Sequence, residues 1–330
     1  MKKIFALLLS AALLVTLLAA CGGGNTTDTD TDTQEPAVDA STTQVEEQEP
    51  DTGDASKDDP LNQDEIGEKE LLVVSFGTSY NDSRRETIGA IEKAMQTAFP
   101  DYSVRRAFTS QIIIDHVKDR DGVTIDNVEQ ALERAVNNGV KTLVVQPTHL
   151  MNGLEYEELT DELAKYSDSF EKIAIGDPLL TSDADFEAVM TAITDATKDA
   201  ADGKTAICFM GHGTTADSNS VYSKMQTLLT DKGFNDYYVG TVEATPSLDD
   251  VLAAVQKGNY EKVILRPLMI VAGDHANNDM AGDEDDSWKS TFEKAGYTVD
   301  CQVEGLGQLE AIQQLFVEHA KAAVASAEAE

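Results

Sequence analysis

Basic residues, cysteine and tryptophan are scarce in this chain of 330 residues. It has 25 lysines and arginines against 60 aspartates and glutamates, which gives a formal net charge of −35. Nucleic acids bind to basic surfaces, so this balance argues against a nucleic-acid partner. The excess acidity instead favours solubility and raises the local concentration of cations.

Three cysteines are too few to build a disulfide scaffold. Cys208 and Cys301 fall in predicted strands, and Cys21 belongs to an N-terminal signal described below. A disulfide between Cys208 and Cys301 stays open for a protein outside the cytoplasm, but two buried thiols are expected.

Several common site motifs are absent. The chain has no CxxC and no HExxH sequence, which excludes two frequent zinc sites, and it has no P-loop. Its Gly-Thr turns do not form a GxGxxG sequence. We therefore expect no nucleotide cofactor.

One long apolar stretch lies at the N-terminus. Lys2 and Lys3 precede an apolar run at 4–20, and residues 18–21 read Leu-Ala-Ala-Cys, which is typical of a bacterial lipobox. The pattern predicts a signal peptide over 1–21 that is removed before Cys21. Lipid on Cys21 would then anchor the protein to the cell membrane on its extracytoplasmic side. An ordinary signal peptide with an incidental cysteine is the alternative.

Residues 22–69 have the composition of a linker. Glycine, threonine and acidic residues dominate and aromatic residues are absent, so too little apolar surface can be buried to offset chain entropy. We expect an extended, disordered tether that holds a folded domain away from the membrane.

The remaining chain alternates predicted strands with predicted helices, which indicates a parallel sheet covered on both faces. Strands are expected at 69–76, 104–108, 141–146 and 173–175. Helices are expected at 82–99, 110–118, 125–138, from 156 and at 182–198, with Asp126 as an N-cap.

The pattern then restarts after residue 203. A strand and a Gly-Thr turn at 204–215 repeat those at 71–79, and further strands are expected at 234–242, 262–271 and 297–303, with helices at 247–256 and 307–324. We predict an α/β fold of two similar flavodoxin-like halves, 70–198 and 203–326. A ligand is expected in the cleft between them.

Three polar side chains follow successive predicted strands of the second half. His212 stands in Gly-His-Gly, Glu243 follows 31 residues later, and His275 follows 32 residues after that. In open α/β sheets, ligands bind at the carboxyl ends of the strands. The spacing predicts a divalent-metal site or a proton-transfer site, and it cannot decide between them. Each residue taken alone has a structural explanation as a hydrogen-bonded histidine or a solvated loop carboxylate.

Six segments of the sequence resemble the anaerobic, CbiK-type sirohydrochlorin cobaltochelatases. The match covers essentially 70–326, and the segments occur in the family's order: VVSFGTSY at 73–80, RAFTS at 106–110, FMGHG at 209–213, VAGDHA at 271–276, NDMA at 278–281 and DSWK at 286–289. The resemblance implies a class II chelatase, a single chain of two flavodoxin-like halves with a tetrapyrrole in the cleft. It implies Co²⁺ insertion into a sirohydrochlorin-type ring for cobalamin synthesis, without ATP.

The resemblance also assigns residues. It implies that His212, Glu243 and His275 are both the metal ligands and the catalytic residues. The same segments supply further candidates for substrate binding: Ser75, Gly77, Thr78, Gly213 and Asp274. His149, in QPTH at 146–149, matches a family histidine and is a further candidate. Asn81 stands where the family has a histidine, and a haem ligand found in some exported members cannot be placed.

Physical chemistry is consistent with this assignment. A macrocycle must lose two pyrrole protons as the metal arrives, and neutral imidazoles both accept protons and hold Co²⁺. Glu243 would offset the charge of the dication and relay a proton. Asp274 is expected either to orient His275 or to cap the next segment, whereas Asp279 is assigned to an acidic loop rim.

Two alternatives stay open. The first is a lipid-anchored protein that captures a metal or a tetrapyrrole, haem included, without turnover. The second is a chelatase for Fe²⁺ or Ni²⁺ in place of Co²⁺. A homo-oligomer is neither indicated nor excluded.

Overall fold

The computed structural model describes residues 51–64 and 66–329. The signal peptide expected over 1–21, with Cys21, and the linker up to residue 50 lie outside the described residues. Within the described part of the chain, no helix combines the length and the hydropathy of a membrane span.

Four strands form a parallel sheet in the first half. They are β1 Lys69–Ser75, β2 Ser103–Phe108, β3 Thr142–Pro147 and β4 Lys172–Ile175. The order across the sheet is β2-β1-β3-β4. Along β1, Leu71 and Val73 enter one apolar core while Leu72 and Val74 enter another. Because both faces of the strand are buried, it reads as a continuous apolar run.

Six α-helices belong to this part of the chain: α1 Asn81–Glu86, α2 Ile88–Ala98, α3 Gln111–Asp121, α4 Val128–Asn137, α5 Leu154–Ala164 and α6 Asp183–Thr197. The single helix predicted over 82–99 is divided at Thr87, whose hydroxyl donates a hydrogen bond to the Ser83 carbonyl, a bond that often bends helices. The predicted cap of α4 was wrong. Asn127 forms the capping box with Gln130, whereas Asp126 pairs with Arg134.

The second half repeats the topology. Its strands are β5 Thr205–Gly211, β6 Tyr237–Thr241, β7 Lys262–Pro267 and β8 Thr298–Cys301, in the order β6-β5-β7-β8. Its helices are α7 Ser220–Asp231, α8 Leu248–Val255, α9 Trp288–Lys294 and α10 Glu310–Ala329. Two parallel four-stranded sheets of equal order confirm the predicted α/β fold with two flavodoxin-like halves.

The strand predicted over 262–271 is shorter than expected, because β7 ends at Pro267. The apolar residues that follow stay buried for another reason. The carbonyls of Met269 and Ile270 accept hydrogen bonds from Leu306 and Gly307, so the chain leaves the sheet and packs against a neighbouring loop. Residues 268–271 are therefore apolar because they are buried, although they lie beyond the end of the strand.

The two halves are tied together by their last helices. Helix α10 packs on β3, β4 and α2 of the first half, and α6 packs against α7 of the second. His319 on α10 contacts Asp185 on α6 at 3.0 Å, and Thr197 bonds with the Tyr237 hydroxyl at 2.9 Å. The predicted division into 70–198 and 203–326 describes the two sheets, but a single apolar core is continuous across both.

The end of the predicted linker, residues 51–64, packs on the first half; we call it the strap. The side chain of Asp58 is buried and accepts hydrogen bonds from Arg84 and Arg106, each at 2.6 Å, while Leu61 joins the main core. The linker predicted to be disordered through residue 69 therefore cannot extend that far. The folded domain supplies contacts for the few apolar and charged residues of the strap. These contacts cannot be predicted from composition alone.

The two described cysteines are unpaired, as expected. Cys208 and Cys301 lie in register on either side of Leu265, two strand spacings apart. That separation is about 10 Å, beyond the reach of a disulfide. Cys208 is buried, which raises the pKa of its thiol, while Cys301 is only half-buried.

Candidate metal centre

Three predicted ligands meet at the carboxyl edge of the second sheet. His212 directly follows β5, Glu243 follows β6, and His275 lies in the loop after β7. One ligand atom from each residue lies within 4.8 Å of the other two. The two imidazole rings stand edge to face with centroids 4.7 Å apart. A single ion can therefore contact all three side chains after small rotations.

The backbone around His212 explains how the first two ligands are placed. Gly213 has φ +91°, a conformation that glycine adopts freely. A β-carbon at that position would lie 2.9 Å from the backbone nitrogen of Ala244. The amide of Glu243 donates to the carbonyl of His212 at 2.9 Å. This close packing of two strand exits requires glycine and sets the two side chains next to each other.

Each histidine has one ring nitrogen occupied. Nδ1 of His212 lies 2.7 Å from the carbonyl oxygen of Gly213, and Nδ1 of His275 lies 2.8 Å from a carboxylate oxygen of Asp279. Both acceptors favour the tautomer with hydrogen on Nδ1, which leaves the Nε2 lone pair for a metal.

The partner of His275 is Asp279, and not Asp274 as one of the two predictions had it. A single π-helical turn at Ala276–Met280 brings Asp279 under the ring. Asp274 is exposed and accepts a hydrogen bond from the side-chain amide of Asn278 at 2.7 Å. It does not cap the turn as the other prediction had it, because the turn begins at His275 without a side-chain cap. The spacing of four residues between His275 and Asp279, one helical turn, could have predicted this contact. It was overlooked because Asp279 lies among several other acidic residues.

The centre opens towards the first half of the chain. A β-carbon on Gly273 would lie 3.0 Å from the hydroxyl of Thr78, and the amide of Ala272 donates to the Ser83 hydroxyl at 3.0 Å. Burial, together with the negative charge of Asp274, raises the pKa of Tyr80. The exits of β1 and β7 thus lie side by side next to the centre, where His212 and Glu243 are exposed.

The other predicted substrate-binding residues have different surroundings. Ser75 is buried and bonds with Thr148 at 2.7 Å, Gly77 has φ +100° above the ring of Phe108, and Thr78 is buried beside Gly273. His149 is buried at the exit of β3. Of these, the structure places Thr78 beside the loop that carries His275, and Ser75 and Gly77 support the turn that carries Thr78.

Asn81, which stands where the family has a histidine, is part of the fold. Its amide donates to the carbonyl of Gly53 in the strap at 3.1 Å, and its oxygen accepts from Arg84 at 2.6 Å. The residue is buried, and both ends of its side chain are engaged. Its contacts hold the strap beside the turn that follows β1.

Comparison with known proteins agrees with this geometry. The cobalt chelatase family CbiK matches residues 69–325. The sirohydrochlorin cobaltochelatase of Salmonella typhimurium is 38% identical over 251 residues, which cover 76% of this chain and 94% of that protein. The sirohydrochlorin cobaltochelatase CbiKC of Nitratidesulfovibrio vulgaris is 30% identical over 260 residues, 78% of this chain and 91% of that protein.

The fold is also found at much lower sequence identity. The structure of SirB from Bacillus subtilis with Fe³⁺ covers 80% of this chain and 98% of its own, with a TM-score of 0.57 at 14% identity. This likeness shows the fold, two parallel four-stranded sheets of equal order flanked by helices, which the class II chelatases share. This chain belongs to the cobalt chelatase family CbiK and is a metal chelatase.

Proposed function

We propose that this protein inserts Co²⁺ into a sirohydrochlorin-type tetrapyrrole, a step of the anaerobic route to cobalamin. The observation that carries the proposal is the group of His212, Glu243 and His275, with their ligand atoms within 4.8 Å of one another at the cleft. Two relatives that match most of the chain have names that give this reaction.

The donor set suits a metal that is a substrate. Two imidazoles and one carboxylate hold a borderline dication such as Co²⁺, and three protein ligands leave coordination positions open for ring nitrogens. Glu243 contributes one negative charge, which partly offsets the charge of the ion. Because His212 and Glu243 are exposed, the ion can arrive from solvent and leave with the ring.

The test is a metallation assay with purified soluble protein and sirohydrochlorin. Co²⁺, Fe²⁺ and Ni²⁺ are supplied separately, and the change in ring absorbance is followed over many equivalents of substrate. We expect multiple turnovers with Co²⁺ that exceed those with the other two ions. Uptake of one equivalent of ring or metal without further turnover would contradict the proposal and favour a binding protein.

We also propose that the protein is a lipoprotein on the outer face of the cytoplasmic membrane. The support is the lipobox at 18–21 and the acidic linker that follows it. Cys21→Ser should prevent lipidation and shift the protein from the membrane fraction to the soluble fraction. A variant that stays in the membrane fraction with its lipid would contradict this location.

A further inference from the structure

Metal insertion requires more bases than the metal centre can supply. A free-base ring loses two N–H protons as it takes up a divalent ion. When His212 and His275 hold the ion through Nε2, neither has a lone pair left, because each Nδ1 is hydrogen-bonded elsewhere. Glu243 is then the one remaining base of the group. The second proton needs an acceptor outside it.

His149 and Glu155 form a pair in the first half that the metal centre does not use. His149 is 9% exposed, and neither of its ring nitrogens has a hydrogen-bond partner among the described residues. A carboxylate oxygen of Glu155 lies 3.3 Å from Nε2, without the alignment of a hydrogen bond. Leaving a buried polar group unsatisfied costs about 1–3 kcal/mol, so a fold that keeps one suggests a use for it.

The pair lies on the edge of the first half that faces the second. His149 follows β3, which occupies in its sheet the place that β7 occupies in the other. Glu155 stands in the first turn of α5, just after Gly153, where a β-carbon would lie 3.4 Å from the hydroxyl of Ser218 in the second half. The Glu155 side chain is 43% exposed, whereas that of His149 is 7% exposed. Glu155 is therefore the accessible member and His149 stands behind it.

We propose that Glu155 accepts a pyrrole proton of the macrocycle and that His149 positions Glu155 and shares that proton. In the step, the pyrrole N–H bond breaks and its electron pair stays on the nitrogen, which donates it to the cation. An O–H bond forms on Glu155, and the proton can pass to Nε2 of His149. The exposed carboxylate later returns it to water. The inference rests on the proposed function and adds a proton acceptor to it.

The experiment compares Glu155→Gln and His149→Gln with Glu157→Gln, an exposed glutamate in the same helical turn. Three quantities are measured for each: kcat for Co²⁺ insertion, affinity for Co²⁺ alone and affinity for sirohydrochlorin alone. We expect Glu155→Gln to lower kcat on the order of 10²-fold and His149→Gln to lower it by a smaller factor, because Glu155 can still accept the proton. Both affinities should stay within about threefold of wild type, and the control should be unchanged.

Chemical rescue separates a base from a structural residue. In Glu155→Ala, added formate should restore part of kcat in a saturable manner, and it should have no effect on wild type or on Glu157→Gln. Wild-type kcat in both glutamine variants would overturn the inference, as would loss of Co²⁺ affinity in parallel with kcat. A wild type that binds cobalt and ring but never metallates would overturn the proposed function, and this inference with it.

Discussion

His212 and His275 stand edge to face, with their ring planes at 79° and their centroids 4.7 Å apart. Each ring is held through Nδ1 by a partner outside the pair, the Gly213 carbonyl and the Asp279 carboxylate. The two rings are therefore oriented before any ion arrives. Such preorganisation limits the rearrangement on metal binding to the small rotations that bring the three ligand atoms together.

Loss of either imidazole should stop cobalt insertion at the metal-binding step. We expect His212→Ala and His275→Ala each to weaken Co²⁺ binding, and to lower kcat/KM with it, by more than the roughly 10–100-fold that follows loss of a residue supporting a metal ligand. Sirohydrochlorin affinity should change little, because the area of contact in the cleft supplies most of it. His116→Ala, at an exposed histidine on α3, is the matched control. Turnover that survives both substitutions would contradict the assigned centre.

The Asp279 carboxylate should affect Co²⁺ affinity only through its contact with His275. Asp279→Asn removes the charge that favours hydrogen on Nδ1, and we expect Co²⁺ affinity to fall about 10–100-fold. Asp274→Asn changes the adjacent carboxylate, which bonds Asn278 instead, and should leave affinity within about threefold of wild type. Titration of Co²⁺ against a competing chromophoric chelator measures both. Equal losses in the two variants would point to the summed charge of the loop and not to the contact.

The sequence predicts the strand exits well because glycines mark them and buried parallel strands leave apolar runs. His212, Glu243 and His275 could be grouped for that reason. The destination of α10 could not be predicted, since an amphipathic helix shows which face is buried but not which sheet covers it. Asp58 was equally hidden, because a carboxylate in an acidic linker looks solvated until Arg84 and Arg106 are placed beside it.

The strap should be part of the folded unit. Removing residues 22–50 should leave the melting temperature of the domain nearly unchanged, whereas removing 22–66 should lower it markedly. The longer deletion takes away Asp58, which contacts both Arg84 and Arg106, and leaves the buried Arg106 with Glu92 as its ion-pair partner. Breaking a buried pair by removing one partner costs roughly 3–5 kcal/mol.

Asp58→Asn tests the same contact without shortening the chain. It should destabilise the domain in urea unfolding, and Asp51→Asn, at the exposed start of the strap, is its control. Burial raises the pKa of Asp58, but the hydrogen bonds and charges of Arg106 and Arg84 outweigh burial, so the pKa lies below its usual range. The stabilisation that ionised Asp58 provides is then present above about pH 4 and is lost as pH falls further. Equal melting temperatures after the deletions of 22–50 and 22–66 would show that the strap is part of the linker and not of the folded domain.

Glu70 should make the domain less stable as pH rises. Its side chain is buried at the start of β1, and burial raises its pKa to about 8 despite the nearby charges of Arg105 and Arg134. The unfolded chain releases this proton near pH 4.3, roughly the value for free glutamate. Between about pH 4 and pH 8 the unfolded state therefore binds fewer protons than the folded state, and the free energy of unfolding falls.

Glu70→Gln removes the ionisation and keeps the shape of the side chain. We expect the free energy of unfolding of the variant to match that of wild type within about 1 kcal/mol near pH 4. At pH 8 it should exceed the wild-type value on the order of 4 kcal/mol. Urea unfolding at intervals across that range measures the difference, with Glu129→Gln on the exposed face of α4 as the control. If the free energy of unfolding changes with pH in the same way in wild type and in Glu70→Gln, then Glu70 is ionised in the folded protein. Arg105 would then be its ion-pair partner, and Glu70→Gln should destabilise at every pH above about 5.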